Sequence, residues 1–446
     1  MITPRSTYSL PIQKRVFSFY EEKMQLCDKS YVSAETTDVD AIYDTISNDM
    51  IKNTLFAKTS VIILTANKYE RNILHNKVFS TTNTNMKIKK VEIDLLTACD
   101  RFNKVYAYSF EWHGKTCLHI HANVTGSYTI GGAADIINWI KSNAYLFPTL
   151  IISFGICFGT NEKNYELGDV IISKKIYPYF IGAKVNGEEL VVVDDNAFQI
   201  DMDLFNKISD LFNNNRFNKL NKFKVTFDNY LTGEAVVSSL KTRSTINSIT
   251  TQNTPAGDME GYGVFKECNR SDFKVPCLVI KSICDWGAEK NFDTSNETTI
   301  ATFKSIVKSI PDSKTTDEIK QLVSTLKDRI QAYSVSCAFK VLDIMMQYCE
   351  LKKSLLNELR EWLSIYNGVS TTCKEIKAKA YEITNANGIS GKSVDLYIHR
   401  CLMILDENDQ IKCHDDCIND NVKDNCINKE QNAAVRINNR RKSVKT

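Results

Sequence analysis

The chain lacks a long apolar run. Nothing in its 446 residues approaches the ~18 consecutive apolar residues that cross a bilayer. The nearest stretch, Leu150 to Gly159, is of strand length and holds two glycines. It also lacks an excess of either charge. Lys plus Arg total 56 and Asp plus Glu 53, a net of +3, so any nucleic-acid surface must be local. The opening residues, MITPRSTYSLPIQKR, lack an apolar core segment, and no secretory signal is expected. The 14 cysteines lack the spacing of a disulfide scaffold. Most stand alone in apolar runs, as Cys157, Cys277, Cys284 and Cys337 do. That is the pattern of buried free thiols in a reducing cytosol, and a cytoplasmic, non-membrane protein is expected.

What the chain does have is enough apolar residue to build a core. Hydrophobic residues are 43% and charged residues 24%, which excludes a disordered or collagen-like chain. The length suggests two or three domains of about 150 residues. Residues 1–57 have no clean period, and amphipathic pieces around Val16 to Cys27 and Asp38 to Asn53 read as an N-terminal helical arm. Apolar runs then follow at Ser60 to Thr65, Leu150 to Phe154, Asp169 to Ser173 and Val275 to Ser282. Runs of that length bounded by Gly or Pro are strands buried on both faces. Helical patterns lie at Gly132 to Ala144, Met202 to Asn213 and Gly261 to Asn269. The alternation implies an α/β domain with a covered, parallel or mixed sheet. Residues 292–328 are polar and read as an insertion, although helix dominates from Thr315 onward. The run Ile330 to Met346 is apolar on most of its circumference and suits a helix packed on a sheet.

In open α/β sheets ligands bind where strands end at their carboxyl side. Three such ends are acidic: Thr65-Ala-Asn-Lys-Tyr-Glu70, Gly257-Asp-Met-Glu-Gly261 and Lys281-Ser-Ile-Cys-Asp-Trp-Gly287. Each alone is also what a helix start requires. Together, and in this order, they resemble the nucleoside phosphorylase superfamily, in particular the methylthioadenosine/S-adenosylhomocysteine nucleosidases and their relatives in bacterial defence proteins. Ser153 to Gly159 is similar to the family's Gly-rich ribose loop, Leu231-Thr-Gly-Glu-Ala235 to its base-contacting segment, and Gln331 to Met346 to its closing helix. The resemblance covers residues 58–349.

That resemblance implies a three-layer α/β/α core with a mixed central sheet, no cofactor and no metal. It implies a purine N-glycosidase acting on a nucleoside or nucleotide. Breaking the N-glycosidic bond builds positive charge on the sugar and negative charge on the leaving base, which an acid at the base neutralises. Asp285 matches the residue in that role, Glu260 the residue that holds the ribose hydroxyls, and Glu70 the residue that orients or activates water. Met259 would pack on the ribose face, Gly155 and Ile156 would form the ribose loop, and Tyr230 or Leu231 would line the base pocket. The matching loop has no arginine, and Lys163 is the nearest cation, which favours water over phosphate as nucleophile. Cys284 stands where the family has serine and removes a strong hydroxyl donor. Arg71, His113, His119, His121, Lys163, Lys241 and Arg243 are the cations and imidazoles that could approach a 5′-phosphate. His119 and His121 alternate as in a strand and so share one face.

Residues 350–412 read as three helices, Lys352 to Tyr366, Thr372 to Asn385 and Ser393 to Leu405, followed by a strand. They resemble a winged helix-turn-helix that meets nucleic acid or a regulatory protein. Residues 413–446 read as a basic, disordered tail. Within it Cys413, His414, Cys417 and Cys426 are either unpaired thiols or a zinc site. Nucleosidase domains joined to such modules resemble anti-phage effectors that deplete nucleotides, and superfamily relatives commonly form homo-oligomers. The competing readings are a phosphorylase and a nucleic-acid-binding regulator with a ligand-sensing nucleosidase fold.

Overall fold

The computed structural model describes residues 42–81, 87–96, 102–122, 124–143, 145–185, 188–193, 197–213, 223–233, 237, 243–246, 254–270, 273–287, 315–365, 373–386 and 393–407. The earlier part of the N-terminal arm, Lys241, residues 292–314 of the expected insertion, the expected strand after residue 407 and the Cys/His tail lie outside these residues.

The apolar runs are strands of one mixed sheet. β1 (Tyr43–Ile46), β2 (Val61–Thr65), β3 (Ile88–Leu96), β4 (Phe102–Trp112), β5 (Lys115–His121) and β6 (Leu150–Gly159) build one half. β7 (Val170–Val185), β8 (Glu188–Val193), β9 (Phe198–Gln199), β10 (Val225–Gly233), β11 (Ala256–Asp258) and, after a two-residue hairpin pair β12 (Asn269–Arg270) and β13 (Phe273–Lys274), β14 (Cys277–Asp285) complete it. The strand order is β1-β3-β4-β5-β2-β6-β11-β10-β7-β14. β14 pairs with β6 as well as with β7, so β6, β11, β10, β7 and β14 close into a ring. β2 is parallel to β5 and β6, and β14 is parallel to β6. The carboxyl ends of β2, β5, β6 and β14 therefore open on one edge.

Helices cover both faces. Successive residues of β2 alternate between two apolar layers, Ile62 and Leu64 in one, Val61 and Ile63 in the other. This alternation is why the run shows no polar residue. On the first face lie α1 (Asp49–Lys58), α3 (Ala133–Ser142) and α5 (Gly261–Cys268). On the second lie α2 (Lys68–Thr81), α4 (Met202–Asn213) and the carboxyl half of α6 (Thr316–Tyr348). The sheet covered on two sides is the α/β arrangement read from the sequence.

Two expectations shift. The amphipathic piece Asp38 to Asn53 is not one helix. Tyr43–Ile46 is an edge strand parallel to β3, and α1 begins only at Asp49, where the Asn48 side chain accepts the Ile51 N–H. Residues 316–328, read with the insertion, are the first turns of α6. Thr315 and Glu318 cap it reciprocally. Ile319, Leu326 and Ile330 recur at helical spacing and are buried in the first layer. The segment is polar because the rest of its circumference faces out.

The three C-terminal helices are present as α7 (Leu355–Ile365), α8 (Cys373–Ala386) and α9 (Ser393–Glu407). They pack on the α/β core: Leu355, Leu356, Leu359, Ile383, Ile398 and Leu405 join the first apolar layer. Tyr397 meets Phe147 with ring centroids 5.0 Å apart. No helix among the described residues is long and apolar enough to cross a membrane.

Candidate active site

Glu70 sits in the first turn of α2, directly after β2, and folds back over the strand end. Its Oε2 accepts the N–H groups of Ala66 and Asn67, each at 2.9 Å, and its Oε1 accepts that of Ile156 at 2.9 Å. It is 2% exposed, so it is not a solvated helix-start carboxylate. Burial pushes its pKa up to about 7; Glu260 adds to the rise, while Lys281 and the Ile156 and Ala66 N–H groups hold it down. Gly155 makes this approach possible. A methyl carbon there would stand 1.8 Å from Glu70 Oε1, and its φ of +143° suits glycine alone.

Gly155 pairs across the ladder with Lys281 of β14. Lys281 is the one charged residue within the buried stretch Cys277–Cys284, and it is 2% exposed. Its ammonium lies 2.7 Å from Glu260 Oε2 and 2.9 Å from Asp258 Oδ2. Burial alone would lower its pKa, but the surrounding carboxylates Asp258, Glu260 and Glu70 hold it well above the ordinary lysine value. Burial raises the pKa of Asp258, Lys281 opposes the rise and Glu260 adds to it. An ammonium in such surroundings is stable only because acceptors replace its water.

Glu260 stands at the N-cap of α5 but does not cap it. Asp258 Oδ1 accepts the Gly261 N–H at 3.1 Å, and Thr232 Oγ1 accepts that of Tyr262 at 2.9 Å. The helix start is satisfied by other groups, which leaves the Glu260 carboxylate to Lys281 and to the Gly126 N–H at 3.3 Å. The carbonyl of Met259 accepts from Ser127 Oγ at 2.8 Å. The loop between β5 and α3 is thereby tied to the Asp258-Met-Glu260 segment.

Asp285 ends β14. The register of β14 against β6 shifts between Ile283 and Asp285, a bulge that re-aims the last side chain. Its Oδ1 accepts the Gly287 N–H at 2.8 Å, and the Cys284 thiol lies 3.5 Å from its Oδ2. The carboxyl is half-buried.

The other sequence candidates divide. Met259 and Ile156 are half-buried beside Glu260 and Glu70. Tyr230 and Leu231 are fully buried on β10, Leu231 in a small cluster with Phe158, Tyr179, Val237 and Ile246. Lys163 is exposed in the turn after β6, and among the described residues its ammonium makes no ion pair with the acidic cluster. His113 pairs with Asp343 at 2.8 Å, and Arg243 with Glu162 at 3.1 Å and the Trp286 carbonyl at 3.0 Å. Those two are engaged structurally. Arg71 is half-buried, its Nε on Asn72 Oδ1 at 3.0 Å. His119 and His121 do share a face, with ring centroids 6.3 Å apart. Among the described residues no group of three or more His, Cys, Asp or Glu is arranged to hold a metal ion.

Sequence reasoning missed Lys281, Asp258, Gly126 and Ser127. A signal existed for the first: a lone lysine inside an eight-residue apolar run must be paired. Its partners are set by folding and leave no spacing to read.

Comparison with known proteins places residues 131–310 in the Phosphorylase superfamily family model. A relative described as "Death domain-containing ATP nucleosidase", from Amphimedon queenslandica, is 28% identical over 162 residues, 33% of this chain and 30% of the relative. The chain thus spans under a third of that relative's length. Among solved structures it is similar to the 5′-methylthioadenosine/S-adenosylhomocysteine nucleosidase of Neisseria meningitidis, with TM-score 0.43, 16% identity and coverage of 65% of this chain and 99% of the other. It is also similar to the futalosine hydrolase of Helicobacter pylori, with TM-score 0.38, 13% identity and coverage of 61% and 97%.

Proposed function

We propose that this chain is a nucleoside phosphorylase/nucleosidase superfamily member and, on that premise, an N-glycosidase that releases a purine base from a nucleoside or nucleotide with water as nucleophile. The observation that carries the reading is the convergence of Glu70 and Glu260 on Lys281, with Asp285 four positions further along the same strand.

Each acid then has a distinct task. Asp285, on the bulged strand end, donates to the departing base, and the Gly287 N–H holds its other oxygen in place. Glu260 accepts from the ribose hydroxyls. These hydrogen bonds strengthen as the sugar gains oxocarbenium character, so they favour the transition state over bound substrate. Lys281 holds the Glu260 carboxylate in place at 2.7 Å, and so acts as a positioning residue. Glu70, gripped by three backbone N–H groups, orients water and accepts its proton. With a pKa near 7 it is divided between the two forms at neutral pH, where a general base works best. Met259 packs on the sugar face, Gly155 and Ile156 border the ribose, and Tyr230 and Leu231 back the base.

Water is favoured over inorganic phosphate because Lys163, the cation nearest in sequence to the glycine loop, is exposed and outside the cluster. A nucleosidase that accepts nucleotides drains the cell's supply, and the anti-phage role is proposed as one use of that consequence. The test is chromatography of products from adenine and guanine nucleosides and nucleotides, with and without phosphate. Free base with free sugar or sugar 5-phosphate, independent of phosphate, is the expected result. Sugar 1-phosphate formed only with phosphate would make the enzyme a phosphorylase. No base from any purine compound, in folded protein, would refute the reading.

A further inference from the structure

A second row of polar groups is buried in the β1–β5 half of the sheet, and the chemistry above does not use it. Tyr43 Oη lies 2.6 Å from His75 Nδ1, and His75 Nε2 lies 2.7 Å from His119 Nδ1. His119 Nε2 lies 2.8 Å from Thr65 Oγ1, which lies 2.8 Å from His121 Nδ1. His75 and His119 are fully buried, Thr65 and His121 are nearly so, and Tyr43 is half-buried. The Tyr108 ring stacks on His119, with centroids 5.5 Å apart. The row starts on the edge strand β1 and ends at Thr65 and His121, the paired last residues of β2 and β5. The next residue after Thr65, Ala66, donates its N–H to Glu70.

Every interior group in this row can both give and accept a hydrogen bond. If the Tyr43 hydroxyl donates to His75, then His75, His119 and His121 all carry hydrogen on Nε2, and the Thr65 hydroxyl donates to His121. If the row runs the other way, all three imidazoles carry hydrogen on Nδ1, and Thr65 donates to His119. The two patterns use the same heavy-atom positions. A proton that enters at one end displaces the next along each bond, and one proton leaves at the other end. Each group finishes with the number of protons it began with, and no electrons change hands.

We propose that Tyr43, His75, His119, Thr65 and His121 form a proton relay between the surface at β1 and the crevice at the carboxyl ends of β2 and β5. The imidazoles are neutral, as such a row needs. Burial lowers the pKa of His75 and His119 well below the ordinary value and that of His121 to about 4, with the charge of Arg71 adding to each. The link to turnover rests on the nucleosidase reading: each cycle leaves a proton on Glu70 that must depart, and solvent water in the crevice would carry it from Glu70 to His121 Nε2, the inner end of the row.

The test uses the full chain with ¹⁵N-labelled histidine, of which there are six, and the Thr65→Val and Thr65→Ser variants. The expected spectrum shows His75, His119 and His121 in the same tautomer. Thr65→Val, which keeps the side-chain shape and removes the hydroxyl, should lower kcat by about tenfold with KM unchanged and enlarge the solvent deuterium isotope effect. Thr65→Ser should restore both. Hydrogen on Nε2 of His119 together with Nδ1 of His121 would make Thr65 a dead end and overturn the relay. An unchanged kcat in Thr65→Val would do the same. If wild-type protein releases no base, the nucleosidase reading falls, and the tautomers alone decide the relay.

Discussion

Gly155 lies directly against the carboxylate of Glu70, so close that no larger residue fits between strand β6 and that side chain. A Gly155→Ala variant must either displace Glu70 or push β6 away from α2. It should lose on the order of 3 kcal/mol in stability, as for overpacking at a rigid site. Base release should fall further than stability explains. Urea denaturation and product chromatography on the same preparation measure both.

Removing the Lys281 ammonium should be worse than removing any of its partners. Lys281→Met leaves Asp258, Glu260 and Glu70 facing one another without a counter-charge. Breaking a buried ionic set in this way costs about 3–5 kcal/mol. Lys281 also holds the Glu70 pKa down, so what activity remains should need a higher pH. Lys281→Arg keeps the charge and should recover most of the stability. Urea midpoints at fixed pH and a rate profile between pH 5 and about 9 test this.

The pH dependence has two parts of opposite sign. Glu70 is raised from 4.5 to about 7. Between those values the folded protein holds a proton that the unfolded chain has released, so this contribution to stability is lost as pH rises through about 7. His121 is lowered from 6.5 to about 4, and His75 and His119 are lowered well below 6.5. There the unfolded chain holds the extra proton, so stability is lost as pH falls below 6.5, by about 1.4 kcal/mol per pH unit per histidine. Burial also raises Asp258 and Asp169 from 3.8, which adds to the Glu70 side at the acid end; between pH 5 and about 7 the three histidines should set the slope. Urea unfolding at pH 5, 6 and 7 should show stability rising with pH, and a His119→Gln variant should show a shallower rise. Activity that depends on ionised Glu70 should rise through about pH 7.

Residues with periodic or terminal signatures were legible before the structure. The alternation that puts Ile62 and Val61 in opposite layers left β2 uniformly apolar, and Gly261 marked the start of α5. The three acidic strand ends were legible for the same reason: each follows an unmistakable strand. Lys281 was not, because its meaning depends on Asp258 and Glu260, 23 and 21 positions away, meeting it in the closed ring of strands. The His row was half visible as the His119-Ile-His121 alternation. His75, on a helix, and Tyr43, in a segment read as helical, join it only through packing. β1 was missed because an edge strand is paired on one side only and shows little apolar pattern.

The C-terminal helices should unfold with the core and not independently. Tyr397 is 2% exposed against Phe147, and Asn357 Nδ2 donates to the Lys58 carbonyl at 3.2 Å. Tyr397→Ala should cost about 3–5 kcal/mol, as for other buried aromatic truncations. It should lower the melting transition of the whole chain. A separate, earlier transition with the core unaffected would show that α7, α8 and α9 form an independent unit.

The most direct measurement is the release of free base from purine nucleosides and nucleotides in phosphate-free buffer, for wild type and for Asp285→Asn at equal concentration. The expected result is base release by wild type and a loss of about 10²- to 10⁴-fold in Asp285→Asn, with the melting temperature little changed. Equal release by the two proteins would contradict the role of Asp285 as the acid that expels the base.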